Sequence, residues 1–193
     1  MLLDTHILYP DFLQPEDVVG KIKAVLSRAH SNNEVWTDPK MKWENFIFRA
    51  SFEWGINPAW LLIGLQRERS LFGQEGDEKD FNFAEGFVGK DGPGTVNERW
   101  DGLPTQLFLA ARGTAWLACR GFNFGWRGGI APSVPRWRVG SHNQIMLLGD
   151  DHQETGMHEC ETMAEFVQLS YTPHLKVLDV NHSILEQWAP EFL

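Results

Sequence analysis

The sequence predicts a mainly α protein with one small β or irregular insertion. Three observations predict it. Apolar residues recur at helical spacing in several separate windows, helix start and stop residues punctuate those windows, and one stretch, Gly73 to Gly102, breaks the pattern with Gly, Asp and Asn. At 193 residues the chain suits a single domain, 1–193, with a sizeable core.

The elements follow in order. Pro15 opens a helix in "PEDVVGKIKAVLSRAH", where Val18, Ile22, Val25 and Ala29 share one stripe. "SNNEVWTDPK" reads as loop. "KWENFIFRASFEWG" reads as a helix with Trp43, Phe46, Ile47, Ala50 and Trp54 inward and Gly55 as its stop. Asn57 and Pro58 restart a helix at once, as N-cap and first residue. The insertion from Gly73 to Gly102 holds short apolar pieces around Phe81–Phe83 and Phe87-Val88, with a hairpin expected near "KDGPG". "LPTQLFLAARGTAWLAC" is the next helix, with Ala110, Ala111 and Ala115 suited to close packing. "RGFNFGWRGGIAPSVPRWRVGSHN" is a long loop of aromatics, glycines and arginines. Helices across "ETMAEFVQLSY" and "SILEQWAPEF" complete the chain.

Composition excludes several classes. A formal net charge of −9 argues against general nucleic-acid binding, which rests on neutralising phosphates. The charge is uneven: Arg112, Arg120, Arg127, Arg136 and Arg138 lie in a stretch without acids between Asp101 and Asp150, while the stretch from Asp150 to the end carries nine acids and one lysine. Nine tryptophans exceed what such a core needs, so some are expected to face a cleft or surface. Two cysteines, Cys119 and Cys160, make no disulfide framework; one bridge or two buried thiols both fit. No run reaches the ~20 apolar residues of a membrane span. The N-terminus lacks a signal-peptide pattern, which leads to the expectation of cytoplasmic synthesis. "DDHQETGMHECE" offers His152, His158 and Cys160, but their spacing matches no zinc pattern, and no metal or other cofactor is expected.

One residue stands out in "INPAWLLIGLQRERSLFG". At about 3.6 residues per turn, Glu68 shares a stripe with Leu61, Leu65 and Phe72, while Gln66, Arg67 and Ser70 fall on the other side. Gly64, one turn earlier, leaves space beside it. Burial disfavours the charged carboxylate and holds a proton near neutral pH, which glycosidic-bond cleavage requires for the leaving oxygen. The structural alternative is a glutamate paired with Arg69 or another arginine.

The stretch "GINPAWLLIGLQRERSLFG" resembles the signature of the lysozyme-like superfamily, in its soluble lytic transglycosylase and goose-type lysozyme branch. There a Gly-hydrophobic-Asn/Asp-Pro start leads a helix that ends in the catalytic Glu, often followed by Ser. Here Arg69 intervenes before Ser70, a departure from that pair. "DGLPTQLFLAARGTAWL" is similar to the segment opening the next helix, with Gly102, Leu103 and Gln106 matching, though one residue longer than its commonest form. "LSYTPHLKVLDVNHSILEQWAPEFL" is similar to the C-terminal end of some bacterial relatives. Together the pieces span roughly residues 55–106 and 167–193.

The resemblance implies a helical bundle around a catalytic helix and cleavage of the β-1,4 bond between N-acetylmuramic acid and N-acetylglucosamine, with Glu68 as acid. It implies no cofactor, and Gln106 and Tyr171 as groups positioning sugar and acid, with Ser70 beside the acid. Hydrolytic relatives place a water with a carboxylate from the insertion, where Glu85, Asp91, Glu98 and Asp101 are available and Glu85 and Asp101 are better placed. Transglycosylating relatives use the muramyl 6-hydroxyl instead. Trp126, in the Arg- and Trp-rich loop, is a residue for stacking on a sugar ring. The implied partner is the peptidoglycan strand, met by a monomer with no stable membrane association and no nucleic acid. With no export signal, release as a phage endolysin or carriage in a phage particle is expected. The rival expectations are a non-catalytic wall-binding or virion structural protein and a chitin-type glycosidase.

Overall fold

A computed structural model describes residues 2–9, 14–29, 36, 41–82, 84–85, 102–119, 143–149 and 153–193. The described chain is mainly helical: α1 (Asp4–Ile7), α2 (Pro15–Ser27), α3 (Trp43–Glu53), α4 (Pro58–Arg69), α5 (Glu78–Asn82), α6 (Leu103–Cys119), β1 (Gln144–Leu148), β2 (Glu154–Glu159), α7 (Met163–Tyr171) and α8 (Lys176–Trp188), closed by a 3-10 turn at Pro190–Phe192. Among the described residues no helix is long and apolar enough to cross a membrane.

The expected helices are present. In α2 Val18, Ile22 and Val25 are buried, and in α3 Trp43, Ile47 and Ala50 are. Gly55 follows α3 at φ 65°, a left-handed stop that glycine takes without a Cβ clash. Asn57 Oδ1 accepts a hydrogen bond from Ala59 N at 2.9 Å, and Pro58 occupies the first turn. The Asn57 side chain also donates to Thr5 O at 2.6 Å, tying the start of α4 to α1.

Helix α4 is the centre of the molecule. Every residue from Pro58 to Leu65 is buried, so it is apolar all round and needs neighbours on all sides. It touches α1, α3, α6 and α8. Trp60 Nε1 donates to Thr114 Oγ1 at 2.8 Å, and Thr114 Oγ1 to Ala110 O at 2.8 Å, so the α4–α6 contact hides no idle indole N–H there. The main core draws residues from Leu2 to Phe192, so both ends of the chain pack into it.

Two expectations are extended. Among the described residues the sheet is a pair that the sequence did not mark: β1 and β2 run antiparallel just before α7, with Ile145 opposite His158. The segment after α4 holds short α5, and residues 86–101, with the expected hairpin, lie outside the described residues. The last helix also begins earlier than its "SILEQWAPEF" stripe, at Lys176, because Val177, Asn181 and Leu185 already form a buried face. Of the described tryptophans, Trp54, Trp116 and Trp188 are part-exposed and three are core. Trp36, Trp43 and Trp60 are buried, and Trp36 meets Trp43, Phe72 and Phe81 with ring centroids 6.1, 6.0 and 5.5 Å away. These indoles are core, not cleft.

Helix α4 ends on Ser70, the only described non-glycine residue with positive φ, at 53°. The left-handed cap lets Ser70 N donate to Gln66 O at 2.8 Å, and Gln66 Oε1 accepts from Phe72 N at 2.9 Å, turning the chain sharply. A side chain in this conformation is strained. Ser70→Gly is therefore expected to raise unfolding stability by roughly 0.5–1 kcal/mol, after the extra entropy of glycine in the unfolded chain is deducted. Urea denaturation of the two proteins measures it.

Candidate functional site

The sequence-predicted residues meet the structure at the C-terminal half of α4. Glu68 lies in its last turn with 27% of its side chain exposed, and Arg67 Nε donates to its Oε1 at 2.9 Å. The expected burial of Glu68 is thus corrected: its carboxylate is half-buried and ion-paired. Its partner is not Arg69, which instead lies 3.8 Å from Asp80.

Arg67 was expected to face away from the site. It is 11% exposed, donates Nη1 to Asn181 Oδ1 at 3.2 Å, and lies over the Trp60 ring at 5.3 Å. Asn181 Nδ2 donates to Gln168 Oε1 at 3.0 Å, and Gln168 Nε2 to Ala164 O at 3.0 Å. One line of polar contacts therefore runs from α7 through α8 to the guanidinium beside Glu68. The apolar stripe did not reveal it because α8 covers the side of α4 where Arg67 lies. The continuous run "PAWLLIGL" was the available signal, since a helix apolar all round has no outside face.

The deeply buried acid is Glu85. It is 2% exposed, and burial pushes its carboxyl well above the usual carboxylate range. Arg67 opposes that shift and the Glu68 charge adds to it. Space for the Glu85 carboxyl comes from Gly64: a Cβ there would stand 2.0 Å from Glu85 Oε2. The gap left by Gly64 was expected to serve Glu68, one turn on, and it is filled by Glu85. Gln106 is fully buried in α6, and its Oε1 accepts from Glu85 N at 3.2 Å. The expectation that Gln106 holds a sugar is therefore corrected: with no exposed surface it positions the backbone of Glu85.

Ser70 caps the helix beside Glu68, as described above. Tyr171 is the last residue of α7, but its side chain lies outside the described residues, as do Asp91, Glu98, Asp101, Trp126, the whole Arg- and Trp-rich loop and the Cys119 side chain. The structure thus brings together Glu68, Glu85, Gly64 and Gln106 from the sequence reading, and adds Arg67, Asn181 and Gln168. Fold and site together define a mainly helical protein with two carboxyl groups in unlike settings at the end of a buried helix. No family model, curated protein or solved structure matches the chain.

Two outcomes follow from the Gly64–Glu85 contact. Gly64→Ala overfills it and is expected to cost about 1–3 kcal/mol in urea denaturation, with part of the loss recovered when Glu85→Ala is added. The second concerns pH. The native carboxyl of Glu85 is raised above its unfolded value, so its stabilising contribution is full below the ordinary glutamate range and is lost as pH rises through the raised native value. Relative to wild type, Glu85→Gln is expected to gain in melting temperature as pH climbs across that window, measured by thermal denaturation at a series of pH values.

Proposed function

We propose that this chain is a peptidoglycan-cleaving glycosidase, a muramidase or lytic transglycosylase, in which Glu68 delivers the proton to the oxygen between N-acetylmuramic acid and N-acetylglucosamine. The observation that carries the reading is the pair of carboxyls at the C-terminal half of α4: Glu68 within reach of solvent and held by Arg67, and Glu85 buried, with burial pushing its carboxyl well above the usual range. Carboxyl groups whose surroundings pull their protonation apart are the setting in which one fold performs acid chemistry near neutral pH. The resemblance of residues 55–73, 102–106 and 167–193 to the lysozyme-like superfamily supplies the substrate.

In this reading the charge of Glu68 adds to the burial that pushes the Glu85 carboxyl up. A saccharide lying over Glu68 excludes water and takes the place of the Arg67 contact, and Glu68 delivers its proton to the glycosidic oxygen. Departure of the leaving sugar is then helped by that proton, and either water or the muramyl 6-hydroxyl completes the reaction. No cofactor enters. Peptidoglycan is the partner, and action on the wall after release from a phage-infected cell, or from a phage particle, is the biological setting.

A second reading has its own observation. The Arg67–Glu68 contact at 2.9 Å is also what a purely structural ion pair looks like, and it favours a wall-binding or virion structural protein without bond cleavage. One assay divides the two. Wild-type protein is expected to release soluble muropeptides from purified peptidoglycan. Glu68→Gln is expected to lose about 10²–10⁴ in rate with an unchanged circular dichroism spectrum. Binding without release by the wild type, or full activity in the variant, removes the catalytic reading. Mass spectrometry of the products distinguishes anhydro-muramyl from reducing ends.

A further inference from the structure

We propose that His158, Cys160 and Glu165 form a binding site for a divalent cation of the zinc class, joining the end of β2 to the first turn of α7. One donor atom from each residue lies within 4.8 Å of the other two. The set pairs a thiol with an imidazole and a carboxylate, a combination that suits zinc and disfavours magnesium or calcium. Sequence spacing shows only the first two; the third comes from a separate helix, so the grouping exists only in the folded chain.

The surroundings hold the donors in place. Cys160 and Glu165 are buried, at 4% and 7% exposure, while His158 is part-exposed and leaves a way in. Cys160 N donates to Asn143 O at 2.8 Å, which pins the strand end. Glu165 Oε2 accepts from Glu161 N at 2.7 Å, and Glu165 N donates to Thr162 Oγ1 at 3.1 Å, so Oε1 is the oxygen turned toward His158 Nε2, 2.8 Å away. Such supporting bonds orient metal ligands.

Charge and stability both suit a cation. A thiolate and a carboxylate together cancel a divalent charge, which satisfies the demand that buried charges be paired or bound to metal. A two-stranded sheet is marginal by itself, and β2 is exposed along nearly its whole length. A cation between β2 and α7 anchors the hairpin to the body.

The chemistry balances without any oxidant. The Cys160 S–H bond breaks, its proton goes to solvent, and a sulfur–metal bond forms. His158 gives up to solvent the Nε2 proton of its hydrogen bond with Glu165, carries its one remaining ring proton on Nδ1 (taken from solvent if absent before), and ligates through Nε2. Glu165 ligates as carboxylate, and water takes the fourth position. At tetrahedral zinc bond lengths of about 2.0–2.3 Å the donors stand roughly 3.3–3.8 Å apart. The His158–Glu165 contact therefore opens by about half an ångström on binding.

The test uses the full chain freed of metal with a chelator. Titration with zinc chloride against a chromophoric competitor is expected to give one ion per chain at micromolar metal or below, with a raised melting temperature. Cobalt(II) is expected to give a thiolate charge-transfer band in the near ultraviolet. Cys160→Ser is expected to lose that band, and Cys160→Ser and His158→Gln each to weaken zinc binding by about 100-fold. His158→Gln alters a part-exposed side chain, so it reports on binding even if Cys160→Ser fails to fold. Absence of stoichiometric binding at micromolar zinc, absence of the cobalt band, or an affinity in His158→Gln within threefold of wild type overturns the proposal.

Discussion

The arrangement around the candidate site depends on one missing side chain. Gly64 sits in the middle of a fully surrounded helix, where glycine costs helix stability relative to alanine. What it gains is room for the Glu85 carboxyl against the backbone of α4. That contact brings an acid from the segment after α5 to within electrostatic reach of Glu68 and Arg67. Gln106 then binds Glu85 N from the opposite helix, so three elements converge on one turn of α4.

The charges at this turn are arranged rather than merely crowded. Arg67 lies between the aromatic face of Trp60 and the amide of Asn181, and that anchoring directs its guanidinium toward Glu68. A second ionised carboxylate at full burial beside Glu68 carries a desolvation cost that one arginine offsets only in part, so the Glu85 carboxyl is pushed well above the usual range. The line from Ala164 through Gln168 and Asn181 to Arg67 makes α7 and α8 part of the same device. The C-terminal third thus supports the centre of the molecule and does not merely close it.

The second small core has a different logic. Phe166, Leu169 and Val177 bury Ile145 and Cys160 of the hairpin, while the outer strand β2 stays in water. The hairpin is held through β1, where Leu148 N donates to Pro173 O at the turn end, and the His158–Cys160–Glu165 grouping sits at its open end. At the far side, Arg28 of the α2 end donates to both carboxylate oxygens of Glu191 and to Trp188 O. That surface ion pair draws the carboxyl of Glu191 below its usual range and ties the final turn to α2.

The parts legible in the sequence are those decided locally. Apolar spacing placed α2, α3 and α6, because a stripe every three or four residues needs only one neighbour to bury it. Asn57, Pro58 and Gly55 marked their helix ends because capping bonds form within a few residues. The strand "ETGMHE" was hidden because an edge strand left in water carries no alternation to read. Glu68 was visible as an acid within an apolar helix, but its state was not. The neighbour that decides a buried charge comes from any element packed there, and both Arg67's anchor and Glu85's cradle join residues far apart in the chain. The sequence by itself determined a mainly helical chain with an acid near the end of a helix that opens on eight apolar residues, Pro58 to Leu65. Only the tertiary structure decided which carboxyl is fully buried and which is ion-paired near solvent, because desolvation and pairing are properties of the packed surroundings and not of spacing.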